Sequence, residues 1–235
     1  MLDFSSKAAT IDILNDEYGV QDSGKSNLRF PSGISAIDSM TGGLPAGAIT
    51  EIVGAHSSGR TSFMLSALRA ASSQNDLCAL IDTSDSLDIS SATKAGIVLR
   101  NLLWVRCSSD VDRAFKATEL LLRSGLFGLV VLDLCRISLK SDGIQQGTWI
   151  RLRRSIENTK IRFMVIGQQS MAKSLAGLVL QMQKKEQIFS STSARTTDKV
   201  PSFTNLFRGL KFKVEQQRPF SINNKTVFKT SVPFN

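Results

Sequence analysis

Histidine occurs once in these 235 residues, tyrosine once, tryptophan twice and cysteine three times. Each scarcity removes a class of function. Cys78, Cys107 and Cys135 lie far apart, share no metal-ligand spacing, and have only His56 to assist them, so nothing points to a zinc site or a disulfide framework. Each cysteine falls in or just after an apolar run and reads as a packing thiol. No stretch approaches the roughly 20 apolar residues that a membrane-spanning helix needs, so no membrane partner is expected. The opening segment, MLDFSSKAATIDILNDEYG, carries acids and lacks an apolar centre. It is not a secretory signal, and a cytoplasmic location is the expectation.

Acids are also in short supply. Twenty Asp and Glu face 29 Lys and Arg, a net charge of +9. A basic protein of this size is drawn to polyanions. Ten of the basic residues lie beyond position 183 against three acids, which puts seven of the nine net charges in that last part.

What is present is an alternation. Apolar runs at 48–53, 77–82, 101–105, 128–133 and 162–166 read as strands, with helical segments near 60–74, 110–125 and 148–159 between them. Unbroken apolar strands alternating with helices predict an α/β fold, a mostly parallel central sheet with helices on both faces. Past residue 175 the runs AGLVLQMQ, LKFKVEQQ and TVFKTS have strand character without intervening helices, so an antiparallel basic extension is expected from about residue 176. Residues 5–18, with Ile11, Leu14 and Tyr18 at helical spacing, read as a short helix. The division is then residues 1–30 as N-terminal helix and linker, and 31–235 as one domain.

The sharpest motif is Gly54-Ala55-His56-Ser57-Ser58-Gly59-Arg60-Thr61, the G-x-x-x-x-G-K-[ST] phosphate loop with arginine in place of lysine. It sits where such a loop must, between an apolar strand and a helical run. Backbone N–H groups in this turn and at the helix N-terminus form a concave anion site. Gly54, Ser57, Ser58, Gly59, Arg60, Thr61 and Ser62 are therefore the candidate ATP-binding residues, with the Thr61 hydroxyl on Mg²⁺. Asp133, a carboxylate ending the apolar strand at 129–133, is the second Mg²⁺ candidate.

These residues, together with Ser32-Gly33-Ile34, Ala36-Ile37-Asp38, Gly42 to Gly47, Ile81-Asp82, Leu87-Asp88 and Arg123-Ser124-Gly125, resemble bacterial RecA-type recombinases over about residues 31 to 183. The resemblance implies a RecA-like P-loop core, and it makes the departures informative. RecA-type enzymes keep a glutamate after the second strand as the base that activates water; Ser84 falls at that position. Loss of a positioned base typically costs about 10²–10⁴-fold in rate. Arg60 cannot sit where a compact ammonium does. Gln168 matches the glutamine that senses the γ-phosphate. Of the two DNA-binding loops, the first corresponds to Cys135–Gly147, with Arg136 and Lys140, and the second is nearly missing. A degraded phosphate loop, a lost base and a shortened second loop are most similar to the ImuA type of accessory protein, partner of a polymerase-like protein in inducible (SOS) mutagenic repair.

The basic positions complete the picture. Arg151 and Arg154 share a face opposite the apolar face of Trp149, Leu152 and Ile156. Lys211 and Lys213 alternate onto one face of a strand. Both faces read as single-stranded DNA contacts or as solvated surface. The expectation is a DNA-repair accessory protein with little or no ATPase activity, acting through DNA, a polymerase-like or recombinase partner, or self-association by the N-terminal helix. An active DNA-dependent ATPase with Asp85 as base, and a nucleotide-free interaction scaffold, remain the alternatives.

Overall fold

A computed structural model of the chain describes residues 28–135, 144–191, 205–219 and 224–231. The expected helix at 5–18 lies outside these residues, as do Arg136 and Lys140. Arg29–Phe30 (β1) and Leu44–Pro45 (β2) form a short antiparallel ribbon around the helix Ser35–Thr41 (α1). The turn into α1 is fixed by Asp38, whose carboxylate accepts the Ser32 amide at 2.8 Å.

The main sheet follows the alternation in the sequence: Ile49–Gly54 (β3), Arg60–Ser73 (α2), Cys78–Asp82 (β4), Ile89–Lys94 (α3), Leu102–Arg106 (β5), Val111–Ser124 (α4), Leu129–Asp133 (β6), Gln146–Ile156 (α5) and Arg162–Gly167 (β7). Ala176–Ser191 (β8), Asn205–Arg218 (β9) and Lys225–Ser231 (β10) complete it. The spatial order is β10-β9-β8-β3-β7-β6-β4-β5. Every residue of β3, β4, β6 and β7 is buried, as strands covered on both faces require.

Side-chain alternation divides the core into two layers. Ile52, Leu80, Val131, Met164 and Leu180 pack beneath α1, α2 and α3 through Ile37, Phe63, Leu68 and Ala92. Ile49, Ile81, Val130, Phe163 and Val179 pack beneath α4 and α5 through Phe115, Leu122, Trp149 and Leu152. Helix α4 is framed by its caps: Asp110 accepts the Arg113 amide, and Gly125 takes the left-handed conformation that ends the helix. At the amino ends of the strands Arg162, almost fully buried, pairs with Asp76, donates to the Gly128 carbonyl at 2.8 Å and lies 4.2 Å over the Phe30 ring.

Strand β8 divides the sheet more finely than the expected boundary near residue 176. Its first residues run parallel to β3, in register from Ile49↔Ala176 to Gly54↔Met182, and the antiparallel direction begins with β9. The cause is visible in its composition: Ala176, Leu178, Val179, Leu180 and Met182 are buried and suit an internal strand, whereas residues 183–187 are exposed. Beyond Met182, β8 pairs with β9 alone and continues past the carboxyl end of β3.

Trp149 is 2% exposed and meets Phe115 edge-on at 5.4 Å, which locks α5 to α4. Trp149→Ala is expected to cost about 3–5 kcal/mol in urea unfolding. A loss below about 1 kcal/mol would contradict this packing.

Candidate functional site

All the functional loops leave the carboxyl ends of parallel strands, the edge where α/β sheets form their ligand crevices. After Gly54 the chain turns through Ala55, His56 and Ser57, all exposed, with Ser57 and Gly59 left-handed at φ 59° and 92°. Glycine is required twice. A Cβ on Gly54 would collide with the Met182 carbonyl, and one on Gly59 would lie 2.8 Å from the Phe212 ring. Among the described residues, the amides of Gly59, Arg60, Thr61 and Ser62 have no acceptor, the arrangement that makes a helix N-terminus an anion cradle. Thr61 is exposed and Ser62 half-buried on the first turn of α2. The Ser58 hydroxyl is buried with no partner among the described residues, turned back over Gly54.

Arg60 does not extend over this cradle. Its side chain is 5% exposed, and Nη1 donates to the Gly167 carbonyl at 2.5 Å, at the end of β7. A guanidinium is longer and flatter than an ammonium, and once buried it must find an acceptor. Here that acceptor is backbone, so the phosphate loop is tied to the neighbouring strand.

Two carboxylates face the loop. Asp82 accepts the amides of Ser84 (3.0 Å), Ser86 (2.8 Å) and Leu87 (2.9 Å) and the Trp104 indole N–H at 3.3 Å, so its oxygens organise the turn after β4. Asp133 accepts the Cys135 amide at 2.8 Å. Burial holds the Asp133 carboxyl above the usual carboxylate range against the pull of that amide; Asp82 adds to the rise and Arg60 opposes it. Thr61, Asp82, Asp88 and Asp133 line one cleft of about 210 Å³. The Thr61 hydroxyl and Asp133 carboxylate are hard oxygen donors of the kind Mg²⁺ takes, so this pair fits the ion. No cluster of three His, Cys, Asp or Glu able to hold a metal occurs among the described residues, so water and phosphate oxygens would have to complete its shell.

Ser84 presents only a hydroxyl, buried and unpartnered among the described residues. Asp85 is turned away from the cleft in a left-handed conformation. Its carboxylate meets the Ser108 amide at 3.3 Å, the Ser108 hydroxyl at 3.1 Å and Arg106 at 3.3 Å. Slight burial opposes them, but these donors hold the Asp85 carboxyl below its ordinary value.

Gln168 stands just beyond β7, within 3.3 Å of His56 on the phosphate loop and 3.4 Å of the Cys135 carbonyl beyond β6. Behind it Glu51, buried in the middle of β3, accepts the amides of Met171 (2.7 Å) and Ala172 (2.8 Å) and the Ser170 hydroxyl. Glu51 clamps the short turn that follows Gln168. Neither His56 nor Glu51 stands out in the sequence as more than a loop residue and a strand residue. An acid inside an apolar strand was the available signal, because a buried carboxylate demands donors.

The cationic candidates divide by partner. Arg151 lies 4.0 Å from Glu119, Lys211 3.3 Å from Glu186 and Lys213 3.7 Å from Glu215. Arg154 and Lys229 are exposed and without ion pairs among the described residues. No described helix is long and apolar enough to cross a membrane.

Comparison with known proteins agrees with this geometry. The family model described as the RecA N-terminal domain matches residues 17–185. Protein RecA of Psychrobacter cryohalolentis is 39% identical over 92 residues, 39% of this chain and 26% of that protein. Those of Bartonella quintana and Cutibacterium acnes are each 38% identical over 106 residues, 44% of this chain and 30% of theirs. The chain thus matches less than a third of the length of these relatives. With more than half of its residues inside the family model, the chain belongs to the RecA family.

Proposed function

We propose that this protein is a RecA-like accessory factor in DNA repair that binds ATP with little or no hydrolysis and acts through DNA and a polymerase-like partner, as its likeness to the ImuA type implies. The observation that carries the reading is the Arg60–Gly167 bond. The cation that a phosphate loop holds over its triphosphate is engaged by backbone, while the amide cradle of Gly59 to Ser62 stays open. The cradle binds phosphate oxygens; Thr61 directly and Asp133 through water would hold Mg²⁺, which supplies neutralising charge when bound. Ser84 offers no carboxylate to accept a proton from the attacking water, and Asp85 is engaged by Ser108 and Arg106. Binding without turnover follows from that combination.

Calorimetry with ATP·Mg²⁺ is expected to show binding, and phosphate release is expected to stay at background with or without single-stranded DNA. Clear DNA-stimulated release would overturn the proposal in favour of an active ATPase, and failure to bind ATP would leave an interaction scaffold. The double variant Arg60→Lys/Ser84→Glu is expected to release phosphate about 10²-fold or more faster than the natural chain. Equal rates would mean that the missing lysine and base are not what limits it.

For DNA, free cations count most. Single-stranded DNA affinity should fall linearly with salt on logarithmic axes, and Arg154→Ala and Lys229→Ala should each flatten the slope by about 0.7. Lys213→Ala, whose partner is Glu215, should flatten it less. Unchanged slopes in all three variants would remove DNA from these faces.

A further inference from the structure

Strand β5 ends the sheet, yet two of its side chains reach the turn that walls the cleft beside the phosphate loop. Trp104 stands opposite Leu80 of β4 and packs with it into the layer beneath α2 and α3. Alternation puts Asp82 on that same face, and the Trp104 indole N–H donates diagonally to Asp82 Oδ2 at 3.3 Å. Arg106, in register with Asp82, lies 5.1 Å over the Trp104 ring and 3.3 Å from the Asp85 carboxylate.

The cleft of about 210 Å³ has two walls of different origin. Thr61, Met64 and Leu65 belong to α2, which Phe63 and Leu68 anchor in the core. Asp82, Ser86, Leu87 and Asp88 belong to the turn after β4. That second wall takes its shape from one oxygen, because the Ser86 and Leu87 amides both donate to Asp82 Oδ2. These two donors travel with the turn. The indole comes from the neighbouring strand with its ring packed in the core, so it holds the same oxygen from a fixed point. Asp82 is 1% exposed, and a donor lost from a buried acceptor is not made good by water. The Arg106–Asp85 pair lies at the surface and holds the turn more weakly.

We propose that Trp104 is a positioning residue for the nucleotide: through Asp82 it fixes the cleft wall that meets the part of the ligand beyond its phosphates. This rests on the nucleotide site proposed above. Thr61 belongs to the cradle and also lines the cleft, so a ligand whose phosphates lie at Gly59 to Ser62 can continue into it. There Met64, Leu65 and Leu87 offer apolar surface, which a nucleoside covers and a bare polyphosphate does not.

Calorimetry on the full-length chain with ATP·Mg²⁺ and with tripolyphosphate·Mg²⁺ separates the wall from the cradle. Trp104→Phe keeps a ring in the core and beneath Arg106 and removes the N–H. It is expected to weaken ATP about tenfold and to leave tripolyphosphate unchanged, whereas Arg106→Gln should weaken ATP less than about threefold. Equal losses for both ligands, or no loss for ATP, would overturn the proposal. A second readout needs no change at Trp104. The chain has two tryptophans, and Trp149→Phe tells their indole ¹H–¹⁵N signals apart. The Trp104 signal should move when ATP binds and stay in place with tripolyphosphate; indifference to bound ATP would sink the idea even if Trp104→Phe failed to fold. A natural chain that binds tripolyphosphate but not ATP would keep the cradle and refute the cleft. Binding of neither would refute the nucleotide site itself, and the role of Trp104 with it.

Discussion

A guanidinium buried beneath the phosphate loop constrains everything around it. Arg60 cannot be neutralised in place, because its charge persists at any physiological pH, so the surrounding backbone must supply an acceptor. The Gly167 carbonyl does so, and β7 is thereby joined to the first turn of α2 by a bond that crosses 107 positions of sequence. A lysine here would be free to rise toward a ligand. The arginine instead acts as a strut between the start of α2 and the end of β7.

The loop is braced from the other side by the C-terminal strands. Phe212 closes on Gly59 so tightly that no side chain fits there, and Phe228 of β10 packs against Phe212 at 5.2 Å. The aromatic pair makes β9 and β10 part of the phosphate-loop wall. The outer face of those same strands carries Lys211, Lys213, Lys225 and Lys229, so the basic surface and the contact with the phosphate loop lie on opposite faces of one ribbon. On the opposite flank of Arg60, Glu51 fixes the turn after Gln168 through three donors.

Much of this was legible in the residues, for reasons that are themselves physical. The five apolar runs and three helical segments were readable because a doubly covered parallel sheet tolerates nothing polar along its strands, and the phosphate loop was readable because its glycines answer to steric limits. The helix α1 was not, because seven residues held by Asp38 and a glycine cap show no period of their own. The direction of β8 was not, because a strand that changes neighbours halfway carries both patterns in succession. Least legible was where side chains of known identity would point. Arg60 stood out as a departure from the motif and Asp85 only as the base of an alternative reading, and the Gly167 carbonyl and the Ser108 hydroxyl that engage them lie 107 and 23 positions away.

The basic surface invites a similar correction of emphasis. A net charge of +9 implies attraction to polyanions, but Lys211, Lys213 and Lys225 each have a glutamate within 4 Å, and Arg151 shares Glu119 with Arg123. Exposed pairs of this kind are weak and exchange readily, so they do not lock the lysines away from phosphate. They do mean that the excess charge acts as a field over the whole ribbon and helix face, which draws in a polyanion without fixing its register. A protein attracted in this way would depend on something else to place it on its target. At the carboxyl end of the sheet the phosphate loop, the end of β7 and the end of β6 meet through His56, Gln168 and Cys135.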